Sequence, residues 1–232
     1  MEALTLNGID GESRRIPTEA FRRFTSDLKG AVLRPDDGGY AEAIALWNGM
    51  ITKRPAVVVR AAGTDDVIRT VSFARDNGVE LSIKGAGHNI AGLALTDGGI
   101  TLDMSGFKGV EVDADGRRAR VAAGSTLGDV DSATQAHGLA TTLGFVSETG
   151  VAGLTLGGGF GYLARRFGWA VDNLEEVEIV TADGEIRIAN ADRDADLHWA
   201  IRGGGGNFGV VTRFTFRLHD VGPTVTGGLC LW

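Results

Sequence analysis

Residues 56–89 read AVVVRAAGTDDVIRTVSFARDNGVELSIKGAGHN, and this stretch predicts a strand, a helix and a second strand in close succession. The β-branched run from Val57 to Val59 is typical of a buried strand. Apolar residues then recur at helical spacing from Val67 to Ala74, until Asn77-Gly78 ends the helix and a strand follows from Leu81 to Ile83. A β-α-β unit of this kind implies parallel strands joined by a right-handed crossover.

The residues before this unit are predicted to form an N-terminal helical segment, residues 1–49. Within it, apolar residues share one face of a helix over residues 18–29 and again over residues 40–47. A further strand is predicted from Ile100 to Met104. Together with the β-α-β unit, this strand gives a first α+β subdomain at about residues 50–105.

The chain that follows is rich in predicted strands and indicates a second α+β subdomain at about residues 106–220. Alternating apolar residues flank turns at Asp115-Gly116 and Asp183-Gly184, which predicts two hairpins. A final strand is predicted from Val210 to Leu218, where one face is mostly apolar. The fold class is therefore α+β, with both subdomains inside residues 50–222.

Composition and charge exclude several classes of protein. The chain has 232 residues, a net charge of −7 and 43% hydrophobic residues, which is typical of a globular protein. An acidic chain without a Lys/Arg cluster argues against binding to nucleic acid or to an anionic membrane. No apolar stretch has the length of a membrane helix, and acidic Glu2 with no apolar run after it argues against a signal peptide. With Cys230 as its single cysteine, the chain is predicted to be cytoplasmic.

Glycine is the outlier, with 36 residues in 232, more than twice the usual share of about 7%. Many glycines fall into three clusters, which we name the first cluster (Lys84 to Asn89), the second cluster (Gly150 to Gly161) and the third cluster (Gly203 to Gly209). Glycine lets the backbone approach a ligand closely and lets successive N–H groups converge on phosphate oxygens. Any single cluster could instead mark turns and bulges. Three clusters, each beside a strand end or a helix start, favour a ligand.

Two stretches match the fingerprint of a Rossmann-type dinucleotide site. Gly204-x-Gly206-x-x-Gly209 precedes a predicted strand rather than a helix, so its context fails. Gly159-x-Gly161-x-x-Ala164 opens a predicted helix, and Asp183 lies at a suitable distance to bind a ribose, but Asp183 is predicted at a hairpin tip. A nicotinamide site of this type remains as the weaker alternative.

His88 is the strongest candidate for a residue that carries chemistry. It follows a predicted strand and lies between Gly87 and Asn89, where small neighbours let a flat ligand press close. A neutral imidazole is a competent nucleophile or base near neutral pH. The alternative is a histidine that only hydrogen-bonds within a loop. The other histidines are predicted to be structural or solvated, and no metal site is predicted, since no ligand spacing fits one; these histidines are His137, His198 and His219.

Several motifs occur together in an order that is found in a known family. They are Arg54-Pro55-Ala56-Val57-Val58, Gly85 to Asn89, Asp97-Gly98-Gly99, Gly150 to Gly153, Gly157 to Gly161, Asp172-Asn173-Leu174 and Gly203 to Val211. From about Trp47 to about Asp220, the chain resembles the FAD-binding domain of the PCMH type, as in berberine-bridge-enzyme-like and 6-hydroxynicotine-oxidase-like flavin oxidoreductases. The resemblance implies two α+β subdomains that hold an extended FAD without a Rossmann unit.

The resemblance also implies the site. Residues 85–89 are expected to wrap the pyrophosphate, and His88 is expected to bond to the 8α-methyl carbon of the flavin. Relatives with two covalent bonds carry a cysteine at the position of Val146, so one bond is expected here. The implied cofactor-binding residues are Lys84, Gly85, Ala86, Gly87, His88, Asn89, Gly92, Val146, Ser147, Thr149, Gly150, Gly153, Leu154, Gly157, Gly158, Gly159, Gly161, Gly209 and Val210.

The activity implied is that of an FAD-dependent oxidoreductase, which takes hydride from an alcohol, a sugar or an amine to flavin N5. This chain would be its FAD-binding part. Full-length relatives carry a second, substrate-binding domain, and the resemblance implies that only its start, residues 223–232, is present here. A partner or a continuation of the chain would supply that domain, and no catalytic base is named. The alternative is a non-catalytic or partner-dependent flavin-binding fragment.

Overall fold

The computed structural model describes residues 4–228, which contain both helices and strands. The helices are α1 (Thr18–Ser26), α2 (Tyr40–Ala43), α3 (Thr64–Asp76), α4 (Leu127–Gln135), α5 (Val151–Leu156), α6 (Ala164–Phe167) and α7 (Ala195–Gly204). The strands are β1 (Leu4–Asn7), β2 (Ser13–Ile16), β3 (Ala31–Leu33), β4 (Val57–Arg60), β5 (Leu81–Lys84), β6 (Ile100–Asp103), β7 (Val110–Asp113), β8 (Arg118–Ala122), β9 (Leu139–Ala140), β10 (Leu174–Val180), β11 (Ile186–Asn190), β12 (Val210–Arg217) and β13 (His219–Asp220).

A four-stranded sheet of order β3-β4-β6-β5 forms the centre of the first subdomain. Strands β4 and β5, which α3 connects, both run parallel to β6, which lies between them. The parallel arrangement predicted for the β-α-β unit is therefore confirmed. Val57 to Val59 are fully buried, as are Ile100 and Leu102. Burial of this kind is typical of parallel strands that are covered on both faces.

A five-stranded antiparallel sheet of order β11-β10-β12-β8-β7 forms the second subdomain. Strands β7 and β8 form one predicted hairpin, and β10 and β11 form the other. The strand predicted from Val210 is β12, which contributes the stacked and fully buried rings of Phe214 and Phe216. Helix α3 of the first subdomain packs against β10 and β12. One hydrophobic core therefore joins the two sheets and holds them in a fixed relation.

The N-terminal segment differs from the prediction of a helical region. An antiparallel hairpin, β1 and β2, precedes α1 and buries Leu4, Leu6 and Ile16. Strand β3 pairs with β4, so the first sheet begins well before residue 50. The predicted helix over residues 40–47 is shortened to α2. The alternation of buried and exposed residues in β1 is a strand signal that four residues display only weakly.

The C-terminal segment was predicted to start a further domain at residues 223–232. Residues 223–228 form neither a helix nor a strand. Residues 229–232, which include Cys230, lie outside the described part of the chain. Just before this segment, β13 pairs with β9 in a separate two-stranded sheet.

Candidate cofactor site

The three glycine clusters lie in one region of the molecule. Gly150 of the second cluster faces the first cluster, because a Cβ added to Gly150 would lie only 2.9 Å from the backbone nitrogen of Ala86. Helix α5, which follows Gly150, packs against α7 and against the 3-10 turn Gly205–Phe208 of the third cluster. The fold therefore assembles stretches that are far apart in the sequence, as a single ligand site requires.

Buried charges anchor the start of the first cluster. Lys84 ends β5, and its ammonium lies 3.6 Å from the carboxylate of Asp103 at the end of β6. Arg60 at the end of β4 donates to the other oxygen of Asp103 at 3.2 Å. Both Lys84 and Asp103 are buried. Lys84, which was predicted to bind the cofactor, therefore also forms an internal ion pair that holds three strand ends together.

Gly87 sets the direction in which the chain enters His88. Its φ of +77° lies in the region that favours glycine, and the side chain of Leu46 lies 3.0 Å from an added Cβ. The carbonyl of Gly87 accepts a hydrogen bond from the backbone N–H of Trp47 at 3.1 Å. A side chain at this position would strain the turn and move the imidazole that follows.

The imidazole of His88 is contacted on one face and at one edge. The indole of Trp47 stacks on it with ring centroids 5.1 Å apart and planes at 14°. At its edge, Nδ1 lies 3.4 Å from the hydroxyl of Thr149, which precedes the second cluster. His88 is half-buried. It therefore lies where the two subdomains meet, with its orientation restricted and its ring still accessible.

The loop after His88 is shaped by contacts within the chain. The side-chain oxygen of Asn89 accepts a hydrogen bond from the backbone of Leu93 at 3.1 Å. The carbonyl of Gly92 accepts one from the ammonium of Lys53 at 3.1 Å, and Ile51 packs where a Cβ of Gly92 would lie. The contacts that Trp47, Ile51 and Lys53 make with the His88 loop could not be predicted from the sequence. No spacing pattern connects the segment before β4 with this loop.

The predicted site residues in the 146–150 loop are held by hydrogen bonds to the first turn of α4. Thr149 donates its N–H to the carbonyl of Val146 at 3.0 Å, which closes a tight turn. The carbonyls of Ser147 and Thr149 accept from Gly128 and Leu127 at the first turn of α4. That helix is fixed in turn by a capping box of Thr126 and Asp129 at its N-terminus. The hydroxyl of Thr149 is thereby held in place near His88.

Several residues of the second cluster have a reason within the fold itself. A Cβ on Gly161 would lie 1.8 Å from the carbonyl oxygen of Leu143, so only glycine allows this approach. Gly158 faces the ring of Trp169, and Gly159 faces the side chain of Leu154. Gly157 ends α5 and donates to the carbonyl of Gly153 at 3.3 Å. Most of this cluster is therefore explained by internal packing, whatever ligand it meets.

Within the first and second clusters, two glycines have no such reason, and they test whether the residues present fit FAD. Neither Gly85 nor Gly153 has a positive φ, and a Cβ on either would meet nothing within 4 Å. Gly153 is exposed inside helix α5, where glycine costs roughly 0.5–1 kcal/mol relative to alanine. A large flat ligand lying against the backbone supplies the missing reason, so these positions fit a cofactor of this kind.

The third cluster supplies the predicted residues Gly209 and Val210. Gly209 packs against β10, since an added Cβ would lie 2.4 Å from the carbonyl of Val180. Val210 is buried and begins β12. The Gly204 to Gly209 fingerprint is thus followed by a strand, and the helix that follows the second fingerprint is only the short α6. Neither stretch has the strand-turn-helix context of a Rossmann site, which argues against that alternative.

The remaining histidines have the structural or solvated roles that were predicted. His198 is buried, and this burial lowers its pKa. His219 donates to the side-chain oxygen of Asn173 at 2.6 Å and stacks on Phe167, and burial also lowers the pKa of His219. His137 is exposed after α4. None of the three is in contact with the His88 loop in the described part of the chain.

A separate cleft of about 680 Å³ lies on the outer face of the five-stranded sheet and contains none of the predicted site residues. Its cations are already paired, because Glu175 accepts from Arg118 at 2.6 Å and from Arg217 at 3.0 Å. The glycine clusters are therefore a better candidate for the cofactor site than this cleft. Among residues 4–228, no helix is long and apolar enough to cross a membrane, and no group of three or more His, Cys, Asp or Glu side chains could hold a metal ion.

The fold and the site define an FAD-binding domain of the PCMH type, as predicted. The chain belongs to the family described as FAD binding domain, which matches residues 55–190. The prediction of FAD as the cofactor is thereby confirmed at the level of the family. The Rossmann-type alternative is excluded by the same finding.

The chain is similar to several oxidases. (R)-6-hydroxynicotine oxidase of Paenarthrobacter nicotinovorans is 37% identical over 205 residues, which are 88% of this chain and 45% of that protein. The crystal structure of 6-hydroxy-D-nicotine oxidase from Arthrobacter nicotinovorans superimposes with a TM-score of 0.82 and 38% identity, over 84% of this chain and 43% of that one. Glucooligosaccharide oxidase from Acremonium strictum, whose structure is described with 6-S-cysteinyl, 8α-N1-histidyl FAD, gives a TM-score of 0.80 and 29% identity over 85% and 42%. The chain thus spans less than half the length of these relatives.

Proposed function

We propose that this chain is the FAD-binding part of an FAD-dependent oxidoreductase, and that it holds FAD by a single covalent bond to His88. The observation that carries the proposal is the meeting of the first two glycine clusters beside this imidazole. Open backbone at Gly85 and Gly153 offers the close approach that a long, flat, anionic ligand needs. Val146, at the position of the second covalent partner in relatives with two bonds, has no group that could bond to the flavin.

The residues of the site have distinct parts in holding the cofactor. Bound flavin supplies a two-electron acceptor. His88 would hold the flavin through a bond between an imidazole nitrogen and the 8α-methyl carbon. Forming this bond would remove the imidazole N–H hydrogen, one methyl hydrogen and two electrons, which dioxygen would accept to give hydrogen peroxide. A neutral imidazole is the reactive form of His88, because its lone pair makes the bond. The contacts with Trp47 and Thr149 already restrict the orientation of the His88 ring. Less rotational freedom is therefore lost when this bond forms.

The substrate of the whole protein is proposed from the relatives alone. They include an oxidase named for hydroxynicotine, which is an amine, and one named for a glucooligosaccharide, which is a sugar. We infer that the whole protein takes hydride from a small-molecule alcohol, sugar or amine. A partner or a continuation of the chain would cover the flavin and supply the catalytic base. The cytoplasmic location predicted from the sequence belongs to the same proposal.

Covalent attachment at His88 can be tested without knowing the substrate. The chain is produced in cells that contain FAD, precipitated with acid, washed and separated in a denaturing gel, where covalent flavin is fluorescent. We expect fluorescence in the parent chain and in His137→Ala, which removes an exposed histidine, and none in His88→Ala. Fluorescence that persists in His88→Ala would place the attachment elsewhere. A parent chain that retains no flavin until a substrate domain is added would support the partner-dependent alternative.

A further inference from the structure

Trp47 contacts the His88 loop through both its side chain and its backbone. The indole stacks on the imidazole at 14°, with centroids 5.1 Å apart. Its backbone N–H donates to the carbonyl of Gly87, the residue directly before His88, at 3.1 Å. The ring and the turn that carries His88 are therefore held by one residue, which belongs to the segment before β4.

The indole does not serve the hydrophobic core, because 66% of its surface is exposed. The residues after it nevertheless fix its place. Asn48 donates its side-chain amide to the carbonyl of Ile90 at 2.8 Å, and Ile51 packs against Gly92. The segment from Trp47 to Ile51 thus runs along the whole loop from Gly87 to Gly92. Trp47 is thus a large, mostly exposed aromatic residue that is held against the candidate nucleophile His88. Burial in the core does not explain this arrangement.

We propose that Trp47 is a positioning residue for His88, an inference that rests on covalent attachment of FAD at that imidazole. An imidazole in a loop samples several rotamers, of which only some present a nitrogen to a given carbon atom. Stacking on Trp47 restricts the ring to one plane, and Thr149 marks its Nδ1 edge. The attachment reaction then starts from an oriented ring.

The expected effect is on the rate of bond formation rather than on folding or on reversible FAD binding. Loss of an aromatic stack is expected to slow covalent attachment by about two- to tenfold in Trp47→Ala. Trp47→Phe keeps a flat ring and is expected to restore most of the rate, whereas Trp47→Leu keeps bulk without a flat ring and is not. Because Trp47 is largely exposed, all three variants are expected to fold.

The experiment follows covalent flavin over time. Each full chain is produced in riboflavin-limited cells, mixed with FAD in air, and sampled into acid for in-gel flavin fluorescence. Reversible FAD binding and the thermal unfolding midpoint are measured on the same samples. Trp199→Ala is the matched control, since Trp199 is 78% exposed on α7 and the substitution is the same. A proton NMR spectrum adds a spectroscopic readout, in which the His88 ring signals should lose their indole ring-current shift in Trp47→Ala.

The outcomes separate this inference from the proposed function. If the parent and His88→Ala carry equal covalent flavin, the attachment site is wrong and the proposed function fails. If His88→Ala carries none while Trp47→Ala reacts at the parent rate, the attachment site stands and the positioning role is overturned. Equal rates for the Phe and Leu variants would also overturn it, because bulk and not a flat ring would then be responsible.

Discussion

The first and second glycine clusters look alike in sequence, but the structure gives their glycines different reasons. In the second cluster, Gly161 is required by the carbonyl of Leu143, which an added Cβ would meet at 1.8 Å. In the first cluster, a Cβ added to Gly85 would meet nothing within 4 Å, and the backbone conformation of Gly85 is ordinary. The same residue type is therefore demanded by the fold in one place and left unexplained by it in the other. Within the clusters, it is the unexplained positions that leave room for a ligand to account for the glycine.

This difference refines how a glycine-rich site is interpreted. The high glycine content predicted a cofactor site. Several of these glycines are nevertheless required by packing within the fold. Within the second cluster, Gly153 resembles Gly85 rather than its own neighbours, because it is exposed inside a helix with nothing nearby. The two kinds of glycine should therefore respond differently to the addition of one methyl group.

The largest effect is expected for Gly161→Ala. The added methyl would overlap a backbone carbonyl, which cannot rotate away as a side chain can, so the free energy of unfolding should fall by about 1–3 kcal/mol. Chemical denaturation of the chain without FAD measures this. Gly222→Ala is the control, since a Cβ there meets nothing within 4 Å, and it should leave the stability unchanged. Equal stability of the two variants would remove the structural explanation for the second cluster.

Gly85→Ala should show the opposite profile. Its unfolding free energy should stay within about 0.5 kcal/mol of the parent, because no atom of the chain is displaced. Its affinity for FAD should fall roughly tenfold, or by about 1.4 kcal/mol, if the cofactor lies against this backbone. Equilibrium titration of the flavin-free chain, followed by flavin fluorescence, gives the affinity. Unchanged affinity would show that the open space at Gly85 is solvent and not cofactor.

Sequence reasoning succeeded where local patterns carry the information. The β-α-β unit, both hairpins and β12 follow from apolar spacing and turn residues. The small neighbours of His88 in the first cluster made this residue a candidate, and its role stays a prediction. Insertion of β6 between β4 and β5 was not predictable, because strand order depends on packing between distant segments. For the same reason, the stack of Trp47 on His88 left no trace in any spacing pattern. The motif order that resembles a known family predicted the cofactor and the candidate site residues, but neither the strand order nor this stack.

Gly153→Ala should move stability and affinity in opposite directions. Alanine is the better residue inside helix α5, so the flavin-free chain should gain roughly 0.5–1 kcal/mol in unfolding free energy. FAD should bind more weakly, because the new methyl group would project into the space assigned to the cofactor. Thermal unfolding with and without FAD measures both effects in one series. A variant that is stabilised equally in both conditions would show that Gly153 does not face the ligand.

The smallest effect is expected for Thr149→Val, which tests the link between the second cluster and His88. Valine keeps the shape of the side chain but removes the hydroxyl that lies 3.4 Å from Nδ1 of His88. At this length the hydrogen bond is weak, so covalent attachment should slow by only about twofold, with unfolding unchanged. The same time course of in-gel flavin fluorescence measures the rate, and Thr224→Val, at an exposed position beyond β13, is the matched control. A loss in Thr149→Val as large as that in Trp47→Ala would mean that the edge contact orients the imidazole as strongly as the stacked face does.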